Sequence, residues 1–202
     1  TSIGMVLQSM PRLQHIGLDI SDSCSKITDL SAVGHALQDH RELQQFSLKC
    51  GFCKGLWDVS ALGSGLQGAA GVQQLRLDFG SCRALIDISA LGPALQANRG
   101  LQRVHLSFNS CKRLHDISAI GRGLRGSPAL QELQLDFGVC DIRDLSALGY
   151  ALSDMGQLQH LALSLYECAS LCDVSAVGRA LPAMPGLRYL QLCMDFCGAL
   201  SD

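Results

Sequence analysis

Asparagine is nearly absent from this sequence: Asn98 and Asn109 are the only two among 202 residues. Aromatic residues make up 5%, with a single tryptophan, so few of the Trp and Tyr anchors that dominate interface hot spots are available. No run of about 18 apolar residues occurs, and no membrane-spanning helix is expected. Neither sign of charge dominates, since 16 Lys and Arg face 18 Asp and Glu for a net charge of −2. That balance excludes a strongly basic nucleic-acid binder and offers no basic stripe for a phosphate backbone. The opening residues TSIGMVLQSM lack a basic leader segment and do not read as a signal peptide. A processed or cropped start would look the same.

Phosphate loops and nucleophile motifs are missing as well. The six His (His15, His35, His40, His105, His115 and His160) stand beside no recognisable Ser or Cys nucleophile motif. The glycines do not form a phosphate-binding loop. The chain is therefore not expected to be an enzyme, and no cofactor is expected. What is present is a 48% hydrophobic, 17% charged composition, enough for a packed core, together with 21 Gly and ten Cys.

These residues are arranged in repeats. Leu13, Leu43, Val72, Leu101, Leu130, Leu158 and Leu187 open successive units, at intervals of 30, 29, 29, 29, 28 and 29 residues. The consensus is L-x-x-L-x-L-x-F-x-x-C-x-x-L-x-D-I-S-A-L-G-x-A-L. Its first part alternates: Leu133, Leu135 and Phe137 are apolar around Gln134 and Asp136, which predicts a strand with one buried face. The later part shifts to a helical period, with Ile117, Ile120 and Leu124 on one face. Asp116 or Ser118 can cap that helix, and Asp29, Asp58, Asp87, Asp144 and Asp173 repeat the position. Gly34, Gly63, Gly92, Gly121, Gly149 and Gly178 recur mid-helix, where Gly costs about 1 kcal/mol against Ala. Their recurrence predicts helices so close that a Cβ would collide. No unit buries its apolar face alone, so stacking supplies the core.

The pattern L-x-x-L-x-L, followed by a ladder residue and a further Leu, resembles the leucine-rich-repeat family, and the resemblance covers about nine-tenths of the chain. The repeat length and helical second half are similar to its ribonuclease-inhibitor-like and cysteine-containing subclasses. The resemblance implies a right-handed α/β solenoid, or horseshoe, of about seven repeats, with an inner parallel sheet and outer short helices. One departure is that the ladder Cys lies ten residues after the opening Leu, two later than usual. This lengthens the strand, adds the inward Phe79, Phe108 and Phe137, and leaves the turn geometry open.

Seven Cys occupy that ladder position: Cys24, Cys53, Cys82, Cys111, Cys140, Cys168 and Cys197. In the family this position usually holds Asn or Cys pointing inward to satisfy backbone groups. A thiol, a weak donor and small hydrophobe, suits it. Metal and disulfide readings compete. Cys50-x-x-Cys53 is a lone CxxC, whereas zinc needs a second pair or His partners, and Cys50 fills the inward slot that Phe takes elsewhere. Cys168/Cys172 and Cys193/Cys197 have no His nearby in sequence. Adjacent ladder cysteines lie within disulfide reach, but parallel side-chain vectors are poor for bonding. Buried thiols and the exposed positions of Cys172 and Cys193 lead us to expect an intracellular, reducing compartment.

On such a solenoid the third, fifth and seventh residues of each unit line the concave face. We expect a protein partner there, at Arg76, Arg103, His105, Glu132, Asp136, His160 and Tyr189. A merely solvated sheet surface is the alternative. Trp57, beside Ile86 in the next unit, is either half of an exposed apolar pair or a partly buried turn residue.

Other members of the family act as receptors, inhibitors and substrate-recognition modules of ubiquitin ligases. The expected function is non-catalytic protein–protein recognition or scaffolding. The alternatives are a structural accessory subunit of a large multiprotein assembly and the substrate-recognition part of a ubiquitin-ligase adaptor. Residues 1–202 read as one array. Residues 1–12 complete a preceding repeat, with Met5, Val6 and Leu7 in the core. The last unit stops before its helix, so we read the chain as a fragment of a longer one.

Overall fold

Alternation becomes a strand and the helical period becomes a helix in unit after unit. The structure is a computed structural model that describes residues 2–21, 26–198 and 200. In chain order its elements are α1 (Ser2–Gln8), β1 (His15–Asp19), α2 (Ser31–Leu37), β2 (Gln45–Lys49), α3 (Ser60–Gly68), β3 (Gln74–Asp78), α4 (Leu91–Ala97), β4 (Arg103–Ser107), α5 (Ser118–Leu124), β5 (Glu132–Asp136), α6 (Ser146–Ser153), β6 (His160–Ser164), α7 (Ser175–Ala180) and β7 (Tyr189–Cys193). A 3-10 turn, Leu181–Ala183, extends α7. The seven strands form one parallel sheet in sequence order. This is the α/β solenoid expected from the repeat.

Register is uniform. Third residues stand beside third residues, from His15 on Gln45 through Arg103 on Glu132 to His160 on Tyr189. Period-two alternation therefore sends whole rows of side chains the same way. The inward rows, such as Phe46, Leu75, Val104, Leu133 and Leu161, are buried, each contributing roughly 1.5–3 kcal/mol by leaving water. Phe79, Phe108 and Phe137 stack at centroid spacings of 5.6 and 5.7 Å in the slot that the lengthened strand provides. Cys50 occupies that slot in its own unit and is fully buried.

Neighbouring helices approach as the recurrent glycines predict. A Cβ on Gly34 would lie 2.1 Å from the carbonyl oxygen of Ala61, and one on Gly121 would lie 2.4 Å from that of Ala147. The aspartate, just ahead of the cap residue, bonds the chain at the helix start. Oδ1 of Asp29, Asp58, Asp87, Asp116, Asp144 and Asp173 accepts the amide N–H of the serine two residues on, at 2.7–2.9 Å. Of the α1 residues expected in the core, only Leu7 enters it. Met5 and Val6 are exposed, because Gly4, which faces Ala32, sets the helix phase.

The ladder is built from thiols. Sγ of Cys82, Cys111, Cys140, Cys168 and Cys197 donates to the carbonyls of Cys50, Phe79, Phe108, Phe137 and Leu165, at 3.0–3.2 Å. Each bond ties a turn to the end of the preceding unit's strand. Cys53 departs from the expected run of thiols, being disulfide-bonded. Cys24 lies outside the described residues. The late position of the ladder Cys is resolved by a left-handed residue just before it. Phe52, Ser81, Ser110, Val139, Glu167 and Phe196 all have φ between 54° and 63°. The amides of Phe52, Ser81, Ser110 and Val139 still bond the next unit, at 2.6–2.7 Å, so the sheet's ladder continues through the turn.

Candidate functional site

Side chains at the third, fifth and seventh positions have the helices behind them and open space in front. Two depressions mark this face, of about 320 and 450 Å³. The first lies over β3–β7 and the second over β1–β5. Arg76 and His105 line both.

Glu132 is the hub of the ridge at their junction. Register sets Arg103 beside Glu132 and His105 beside Gln134. The Glu132 carboxylate accepts from His105 Nε2 at 2.8 Å and from Gln134 Nε2 at 2.8 Å. Arg103 Nε stands 3.7 Å from its second oxygen. Since a carboxylate only accepts, the imidazole proton on this contact sits on Nε2. The glutamate side chain is 23% exposed and that of His105 28%, so the pair is partly shielded, whereas the Arg103 side chain at 57% is solvated. Charge-assisted bonds of this kind hold side chains in fixed positions before a partner arrives.

The structure thus joins three of the expected residues, Arg103, His105 and Glu132, and leaves Arg76 outside their network. His160 and Tyr189 form a second contact, with ring centroids 5.7 Å apart, and Tyr189 donates its hydroxyl to Gln191 Oε1 at 2.6 Å. Asp136 Oδ1 accepts the Gly138 amide at 3.0 Å. Asp78 makes the same bond to Gly80 at 2.9 Å. Gln134, Gln191 and Asp78 lie on the same face and are not among the residues expected to bind. Their recurrence at fifth and seventh positions beside the selected residues was the available signal.

Elsewhere, Trp57 is 59% exposed and Ile86 36%, which favours the exposed pair over the half-buried turn. An isolated parallel bridge between Asp58 and Asp87 brings their units together at that point. Among the described residues, no group of three His, Cys, Asp or Glu is placed to hold a metal ion, and no helix is long and apolar enough to cross a membrane.

No family model matches the chain, and no curated protein matches it. Solved structures do. An internalin from Listeria monocytogenes strain 4b F2365 is 14% identical over 96% of this chain and 68% of its own, with a TM-score of 0.42. The functional domain of InlJ from Listeria monocytogenes, described as including a cysteine ladder, is 15% identical over 92% of this chain and 59% of its own, with a TM-score of 0.23.

Proposed function

We propose that the chain is a non-catalytic recognition module that docks a protein partner on the open face of its sheet. The observation that carries this reading is the Arg103–His105–Glu132–Gln134 network, a prearranged polar ridge between two depressions. A solvated sheet surface needs no such shielding of Glu132 and His105. Fixed polar groups beside concave space are what a docking surface needs, because they lower the ordering cost of binding. The 29-residue period and the thiol ladder favour the cysteine-containing subclass of leucine-rich repeats as its nearest kin. A reducing compartment is our reading of the cysteines that are free among the described residues, eight in number, one of them the exposed Cys172. The disulfide at Cys53 counts the other way.

The test is a pull-down from the native source with immobilised wild type, an Arg103→Ala/Glu132→Ala variant and a Tyr150→Ala variant. Tyr150 lies on α6 and is 70% exposed. A partner retained by wild type and Tyr150→Ala, but lost by the sheet-face variant with unchanged circular dichroism, supports the reading. Equal retention by all three overturns it.

A further inference from the structure

The open face carries charges that the fold leaves uncommitted. Lys49 pairs with Asp19 at 3.6 Å, and Arg103 and His105 share Glu132. Arg76, exposed at the junction of the depressions, enters no ion pair among the described residues. Neither do Asp78 and Asp136, which line the smaller depression with it. Each of these carboxylates accepts a glycine amide on Oδ1, leaving Oδ2 for another donor.

The sheet keeps these opposite charges apart. Asp136 is two strands and two residues away from Arg76, which sets their Cα atoms about 12 Å apart. An external chain can bridge that distance. We propose that this depression binds an extended polypeptide segment carrying one acidic and one basic side chain about four residues apart. Its carboxylate lies on the Arg76 guanidinium, whose planar fork suits a carboxylate, and its cation lies on Asp136, two strands across from Asp78. Ser107, Gln134, Ser164 and Gln191, which also line the depression, supply hydrogen-bond partners for the segment's backbone. A uniformly acidic or basic segment would set a like charge against one anchor, and a nucleic acid would bring its phosphates against both aspartates. This inference rests on the recognition face proposed above.

The experiment selects a phage-displayed library of random dodecapeptides on the immobilised 202-residue protein. Enriched peptides are then measured by fluorescence anisotropy against wild type, Arg76→Glu, Asp136→Asn and Ala162→Trp. Asn at 136 keeps the acceptor for Gly138, and circular dichroism checks each fold; should Arg76→Glu fail to fold, Arg76→Gln replaces it. Enriched sequences should pair an acidic with a basic residue about four positions apart. Arg76→Glu should weaken binding about tenfold or more, and changing the peptide's acid to Lys should restore it, as a direct charge contact requires. Asp136→Asn should weaken binding and leave the acid preference intact. If the peptides are blocked by Ala162→Trp but indifferent to both charge variants, the segment assignment falls and the recognition face stands. If they are indifferent to Ala162→Trp as well, both fall. The assignment is also overturned if no peptide is enriched, leaving the face to the pull-down, or if a dT12 oligonucleotide binds as tightly as the best peptide.

Discussion

The thiol of Cys111 donates to the carbonyl oxygen of Phe79 across 3.2 Å, tying the turn of one unit to the strand end of the unit before it. The same oxygen accepts the Cys82 amide at 3.1 Å, so removing the thiol halves its bonding without orphaning it. Cys111→Ala should therefore cost about 1–2 kcal/mol, from one lost bond and a small cavity. Cys111→Ser restores a donor and should cost less. Urea denaturation of the two variants checks the order, and equal losses would mean that packing alone decides.

Burial also gives the ladder a pH dependence. Desolvation pushes the thiols of Cys50 and Cys111 up to about 12, and those of Cys82 and Cys168 to about 11. An unfolded thiol titrates near 8.5. A raised folded value means that the protonated thiols contribute stability fully present below about pH 8.5 and lost as pH rises toward 11 and 12. Urea midpoints should fall steadily across that alkaline window. Alkylation of the native protein at pH 8 should reach Cys172, which is exposed, and spare Cys111, as peptide mass mapping would show.

The helix-start aspartates act at the opposite end of the scale. Ser118, through its hydroxyl and its amide, holds the Asp116 carboxyl below the usual carboxylate value, and the partners of Asp29 and Asp173 do the same. Lowered folded values contribute stability that is present above about pH 4 and lost as pH falls through them. Asp116→Ala should cost about 1 kcal/mol at neutral pH. It should also lose less than wild type on acidification to about pH 2, because one linked proton is gone. A wild type and variant that lose stability in parallel would show that this bond is not linked to protonation.

Two chemically identical substitutions should have opposite signs. Gly121→Ala would set a Cβ 2.4 Å from the Ala147 backbone, which cannot yield without separating α5 from α6. The expected loss is about 3 kcal/mol or more. Gly178 occupies the same repeat position in α7, yet a Cβ there meets nothing within 4 Å. Gly178→Ala should gain about 1 kcal/mol from helix propensity alone. Thermal melts of the two variants decide, and a shared sign would refute the contact account.

The repeat made most of this structure legible. Strand faces, helix faces and glycine contacts each rest on a side chain that must be buried or absent where one unit stacks on the next, so burial writes the same letter in unit after unit. The candidate site obeys no such rule. Outward positions face solvent, where packing does not dictate the residue, and nothing in the spacing tells that His105 bonds Glu132 while Arg76 enters no ion pair among the described residues. The left-handed turn was equally hidden. Its residues run Phe52, Ser81, Ser110, Val139, Glu167 and Phe196, with no glycine to signal a positive φ, because the hydrogen bonds on either side enforce the conformation.

His40 is the one place where the described interior leaves a side-chain polar atom unpaired. Its Nδ1 lies 2.8 Å from the Ala36 carbonyl, which requires the proton on that nitrogen and leaves Nε2, fully buried, as an acceptor without a donor. At the same repeat position Asn98 donates to the Leu66 and Ala94 carbonyls and accepts the Val72 amide. Met155 and Met184 fill the position with apolar volume instead. An orphaned buried acceptor costs about 1–3 kcal/mol. His40→Met should recover much of that, stabilising the protein by about 1 kcal/mol, while His40→Ala should destabilise it by opening a cavity. Urea midpoints for the two variants separate the terms. A destabilised His40→Met would show that the Ala36 bond outweighs the orphaned nitrogen.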